Sequence, residues 1–239
     1  MTGLRGAWTI WKKELRSYAV SPLAYVFLGT FLVLSGLFFY LGISLTGEAS
    51  LRVLLANLAV TQLFVLPMLT MRHFAEERRQ GTLELLLTAP VPLSSIVVGK
   101  WLASLTLCLL MLAGTGVFPV ILGYYGDPDW GVIACSYLGL VAVACGFSAA
   151  GLFASSLTDD QVAAGLLGIM ILLPFWLVHQ AEALLPADWA AAVQRFGVLR
   201  HLESFERGVL DSADVLYFVV FTFIFLFLTF RSLESRRWR

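Results

Sequence analysis

Two sets of positions carry the residue types and spacing that could do chemistry. His179 and Glu182 stand three apart, and His201 precedes Glu203 and Glu206; either set could hold a metal ion or pass protons. Neither belongs to a longer signature. The chain has no H-E-x-x-H, no G-x-S-x-G and no paired intramembrane aspartates. Isolated His/Glu groups more often serve as interfacial structure, which makes an intramembrane enzyme the least favoured reading. A third group is denser. "RHFAEERRQGTLELLLTAPVP", Arg72 to Pro92, sets Glu76, Glu77, Arg78 and Arg79 side by side, then one glycine, a leucine-rich run and two prolines. That pattern is suited to recognition of another molecule rather than to bond-making.

The elements around these residues are apolar. Of the 239 residues 59% are apolar and 13% charged, with a mean hydropathy of +0.84. Soluble domains carry about 25% charge, so the balance is that of an integral membrane protein. Six segments approach the roughly 20 apolar residues a spanning helix needs: Leu23–Leu45, Val53–Met71, Ser95–Tyr124, Gly131–Ser155, Val162–His179 and Val215–Phe230. The alternating ten-residue pattern of a membrane β-barrel is absent. The first apolar run exceeds a signal-peptide core and no small-x-small site follows it, so cleavage is not expected. Cys108, Cys135 and Cys145 fall within apolar runs and match no zinc or redox spacing. With both termini cytoplasmic, twelve basic residues face inward and only Arg52, Arg195, Arg200 and Arg207 outward, the asymmetry of the positive-inside rule.

Three segments do not span. In "LRGAWTIWKKELRSYAVSP" the residues Leu4, Trp8, Trp11, Leu15 and Tyr18 form one helical stripe, with Arg5, Lys12, Lys13 and Arg16 largely off it. This predicts a helix lying in the inner membrane interface, ended by Ser21-Pro22 before the first span. In the second segment, Thr82–Thr88 is too short to cross. Gly81 lets the chain turn, Thr82 is placed to cap a short helix, Pro90 and Pro92 stop it, and Ser94 or Ser95 is placed to cap the third span. The pattern leaves two readings open, a docking surface or a solvated loop whose leucines rest on the bilayer. The third segment, from about Gln180 to Asp214, reads as short helices interrupted by Pro186, Gly197 and Gly208. Trp189, Phe196 and Phe205 would dip into the outer interface.

"EERRQGTLELLLTAPVPLSSIVVGKW", Glu76 to Trp101, placed between the second and third of six spans, resembles the cytoplasmic coupling element of ABC transporter membrane subunits of the type-2 exporter class. The amphipathic N-terminus and the outer helices before the last span are similar too, so the resemblance covers nearly the whole chain. "HLESFERGVLDSADVLYF", His201 to Phe218, is similar to gliding-motility-type permeases, and permeases of nitrous-oxide-reductase maturation look alike. The resemblance implies an all-α integral membrane protein with six transmembrane helices, an N-terminal interfacial helix, a cytoplasmic coupling helix and outer helices before span six. It implies an inner-membrane permease with a separate ABC ATPase docked at Glu76, Glu77, Arg78, Arg79, Gly81, Thr82, Leu83, Glu84 and Leu86. It further implies a second permease subunit, identical or related, and a path lined by the second and fifth spans.

Other residues fit that division of labour. No G-x-x-x-x-G-K-[ST] occurs; Gly99-Lys100-Trp101 lacks the upstream glycines and the hydroxyl. ATP and magnesium are therefore expected on the partner ATPase, and no cofactor, metal or nucleic acid on this chain. Asn57, Thr61 and Gln62 in the second span read as helix-packing groups first and path-lining groups second. Asp159 and Asp160 read as a cap for the fifth span. Most spans lack a mid-depth ionisable residue, which argues against coupling to a proton or ion. The cargo implied is lipidic, polymeric or otherwise hydrophobic. The alternative is an ATPase-coupled scaffold that transmits work to accessory envelope proteins without transport.

Overall fold

The computed structural model describes residues 3–46, 51–88, 91–126, 128–181 and 195–237, and among these there is no strand. Six helical runs are long and apolar enough to cross a bilayer: Pro22–Leu45, Arg52–Arg79, Leu93–Tyr125, Trp130–Leu157, Gln161–Val178 and Ser212–Ser235. The elements are α1 (Gly3–Val20), α2 (Pro22–Thr46), α3 (Arg52–Thr70), α4 (Arg72–Arg79), α5 (Thr82–Thr88), α6 (Leu93–Thr115), α7 (Val117–Tyr125), α8 (Trp130–Leu157), α9 (Gln161–Ala181), α10 (Val198–Glu206) and α11 (Ser212–Arg237). Successive spans alternate in direction, so α1, α4 and α5 share one end of the bundle and α10 occupies the other.

The core forms around α3 and α8, which are enclosed along most of their length, whereas α2 turns most of its surface outward. The run from Gly146 to Leu152 is buried throughout, and α8 lies against α3, α9 and α11. Leu54, Leu58, Leu63 and Leu66 of α3 meet Phe147 and Trp176 in the main apolar cluster. A second cluster at the α1 end gathers Ile10, Phe74, Leu83, Ile96, Val97, Leu152 and Leu233.

Several details differ from the sequence reading. The third span is not one helix: it breaks at Gly116 between α6 and α7. Pro119 explains the break, because it has no N–H to give to Thr115 and its ring crowds that carbonyl. On α1, the face held against protein is Gly6, Ala7 and Ile10, residues that the sequence reading did not single out, while Leu4 and Trp8 of the aromatic stripe are exposed. The reason is close approach to α6. A Cβ on Gly99 would lie 2.8 Å from the Ala7 carbonyl oxygen, so small residues decide which face docks. Phe205 does not reach an interface with lipid; it is buried in the main core, with Ser136 Oγ 3.2 Å from its carbonyl. Ser95 does not cap α6. Its hydroxyl donates to the Gly3 carbonyl at 2.8 Å and ties down the start of α1, and no side chain caps α6 at Pro92. Asp160 does cap α9, accepting from Ala163 N at 2.9 Å. Pro90, Glu182, Pro186 and Trp189 lie outside the described residues.

Candidate functional site

Residues 72–88 fold as two short helices at the α1 end. Met71 alone separates α3 from α4 and itself has helical φ and ψ, so α4 leaves the span almost directly. Along α4, His73, Phe74 and Ala75 turn inward while Arg78 and Arg79 fill the last turn, where cations complement the helix dipole. Gly81 then takes φ +69°, a left-handed conformation that glycine adopts without strain and that directs the chain from α4 into α5. Thr82 does not cap α5 as its position suggested; it is the first residue of α5, and its hydroxyl donates to the Glu77 carbonyl at 3.1 Å.

Beneath α4 lies a buried ionic node. Lys100 of α6 is 1% exposed. Its ammonium donates at 2.8 Å to Glu14 Oε1 of α1, at 2.8 Å to Glu77 Oε1 of α4, and at 3.0 Å to the His73 carbonyl. All three of its donors are thus used, and it lies 5.3 Å from the centre of the Phe74 ring, within cation–π range. His73 Nδ1 approaches Glu14 Oε2 at 3.6 Å, and the opposite ring nitrogen is 2.9 Å from the Tyr18 hydroxyl. Burial alone would push the Glu14 carboxyl up. The contact with His73 and the charge of Lys100 outweigh it and hold Glu14 well below the usual carboxylate range. Three separate helices, α1, α4 and α6, are therefore joined through one ammonium.

A second pin fixes the α3–α4 corner from α8. The Ser155 hydroxyl donates to the Met71 carbonyl at 2.9 Å and accepts from the Phe74 and Ala75 amides at 3.0 and 3.1 Å. It serves as a cap brought in by tertiary packing for amides that the first turn of α4 leaves unpaired. Ser155→Ala strands these two buried amides, and we expect a loss of about 1–3 kcal/mol. Thermal unfolding of the purified protein in detergent checks this; an unchanged midpoint would contradict the capping role.

The sequence-predicted contact residues divide into two sets. Leu83 is 7% exposed and packs in the second cluster. Glu77 is mostly buried at the ionic node, and Leu86 is half-buried. Arg79, Gly81, Thr82 and Glu84 are exposed, with Glu76 and Arg78 intermediate, and Leu85 presents 73% of its surface outward. Between this segment and the ends of α8 and α11 an open cleft of about 860 Å³ is lined by Arg78, Glu84, Phe153, Leu157, Leu228 and Arg231, among others. Arg78 donates to the Leu157 carbonyl across it at 3.2 Å.

This segment, the ionic node's Lys100 and all of α8 fall inside residues 65–194, which match the family model described as ABC-2 family transporter protein. The match spans more than half of the 239 residues. The chain belongs to the ABC-2 transporter family. It is thus the multi-pass membrane component of an ABC transporter, a transport component rather than a catalytic one, and the family implies an ABC ATPase partner. No curated protein matches this sequence.

In this ABC-2 transporter the polar residues of α3 keep to their own helix. Asn57 Nδ2 donates to the Val53 carbonyl at 2.7 Å and Thr61 Oγ1 to the Asn57 carbonyl at 2.8 Å, back-bonding that satisfies a short polar side chain without a neighbour. Gln62 is 1% exposed, and its amide has no hydrogen-bond partner among the described residues. At the other end, His201 is occupied structurally. Its Nδ1 meets Asp214 Oδ1 at 2.6 Å, its Nε2 the Arg195 carbonyl at 3.1 Å, and its ring stacks on Tyr217 at 4.0 Å. The side chains of His179 and Glu182 are outside the described set.

Sequence reasoning missed Glu14, His73, Lys100 and Ser155 in these roles. For Lys100 a signal existed, since a cation two turns into an otherwise largely apolar helix requires an anionic partner. Which carboxylates would supply it depends on how α1 crosses α6, and no spacing within one segment encodes that crossing.

Proposed function

We propose that this ABC-2 family chain is the permease subunit of an exporter in the cell's inner membrane, with both termini cytoplasmic. It pairs with a second permease subunit and couples ATP hydrolysis on a separate ATPase to export or extraction of a lipidic, polymeric or other hydrophobic substrate. ATP and magnesium belong to that partner. The observation that carries this reading is the joining of α4 to α1 and α6 through Lys100, directly behind an outward surface of Arg79, Glu84 and Leu85. A push on α5 reaches two further helices without passing through a flexible link. Within the family, the likeness of His201–Phe218 favours a gliding-motility-type or maturation-type subunit.

The division of the predicted residues refines the test. Glu77 and Leu83 hold the fold, so replacing them would confuse loss of docking with loss of structure. Arg79→Glu combined with Leu85→Asp changes only exposed positions. We expect this variant to insert and melt like the parent, and to lose co-purification with the ATPase subunit expressed beside it, together with ATP hydrolysis by the complex. Full retention of the ATPase would overturn the docking assignment.

A further inference from the structure

Where α1 gives way to α2, an open groove of about 820 Å³ is lined by Lys12, Lys13, Arg16 and Arg72, and by no carboxylate. Little of this charge is paired within the groove. Lys12 lies 5.2 Å from the Trp8 ring centre and Arg72 donates to the neutral Ser21 hydroxyl at 3.0 Å. Among the described residues, neither they nor Arg16 has a carboxylate within ion-pair distance. Lys13 reaches Glu77 at 3.6 Å, but Glu77 is bonded to Lys100 at 2.8 Å; in the adjoining cleft Glu14 faces Lys100 as well, and Glu76 lines that cleft without an ion pair to any of the four cations. Four cations gathered with only one partial counter-charge, at Lys13, repel one another, and an anion bound among them lowers that cost.

The surroundings specify what kind of anion. Pro22 lines the groove and is also the first residue of a spanning helix, so the charges stand where polar surface meets apolar surface. Trp8 and Val20 beside the groove are 55% and 77% exposed, and Val26 on the next turns of α2 is 59% exposed. A ligand with a negative head and an apolar tail fits both halves. We propose that the groove binds the phosphate of an anionic membrane phospholipid, its chains lying against the outward face of α2. Arg72 is the first residue of α4, so the bound headgroup sits at the root of the segment assigned to ATPase docking. The binding itself does not depend on that assignment.

The test uses the full chain alone, without any ATPase, in mild detergent doped with phosphatidylglycerol, with phosphatidylcholine, or with millimolar inorganic phosphate. Thermal stability and the number of lipids retained in native mass spectrometry are read for the parent, for Lys12→Gln/Arg16→Gln and for Arg16→Gln alone. We expect phosphatidylglycerol to stabilise the parent and be retained, with phosphatidylcholine and inorganic phosphate doing neither. The double variant should bind phosphatidylglycerol on the order of tenfold more weakly, and the single variant less so, with salt eroding the difference. An equal effect of phosphatidylcholine, or an undiminished effect on both variants, would overturn the site. Inorganic phosphate acting as well as the lipid would overturn the lipid as ligand in favour of a soluble anion. If phosphatidylglycerol neither stabilises the parent nor is retained by it, the proposal fails, with the permease reading intact.

Discussion

Lys100→Met is expected to lower the apparent melting temperature of the purified protein by on the order of 10 °C. The substitution keeps length and removes charge at a side chain that is 1% exposed. It leaves Glu14 and Glu77 facing each other across a site with no cation at its centre. Breaking a buried ion pair by deleting one partner costs roughly 3–5 kcal/mol, and for a chain of this size each kcal/mol moves the midpoint by about 2–4 °C. Buried ion groups are expensive to desolvate, so neutralising all three should recover much of the loss. Lys100→Met with Glu14→Gln and Glu77→Gln is therefore expected to melt above the single variant. A single variant as stable as the parent would mean that the ammonium contributes nothing to holding α1 and α4 against α6.

Phe74→Ala is the second large effect, expected at about 3–5 kcal/mol. The ring is 1% exposed and lies among residues from α1, α5, α6, α8 and α11. Its removal opens a void that five elements would have to close together, and helices already pinned by Lys100 and Ser155 cannot do so freely. Because the Lys100 ammonium rests 5.3 Å from the ring centre, the two substitutions share a contact. The double variant should lose less than the sum of the single losses. Strict additivity, or a loss below about 1 kcal/mol for Phe74→Ala alone, would show that this second cluster does not organise the α1 end.

The spans were legible because each is a long apolar run, and bilayer thickness leaves one solution for such runs. The break at Gly116 was less so: Pro119 was visible, but its span was read as a single long helix. The turn at Gly81 was readable from glycine's freedom at positive φ. The split of the proposed docking segment into covered and exposed residues was not, since Leu83 and Leu85 are chemically alike and only the packing of α5 on Phe74 and Leu152 decides which one is covered. The ionic node was hidden for the same reason. Glu14, His73, Glu77 and Lys100 come from three helices far apart in the chain, and on α1 the aromatic stripe drew attention to a face different from the one that docks.

The joint at Gly116 has a mechanical consequence. From Lys100 to Thr115 α6 is an unbroken rod, about 23 Å long at 1.5 Å per residue. A rotation of ten degrees about the anchored lysine would carry the rod's far tip sideways by roughly 4 Å, whereas Glu14 and Glu77, at the fulcrum, would scarcely move. Beyond the joint, α7 carries no helical hydrogen bond from Pro119 back to Thr115 and is free to keep its own tilt. The third span is thus anchored near its base and interrupted further along, a geometry in which a small angle at Lys100 would become a displacement of several ångströms at Gly116.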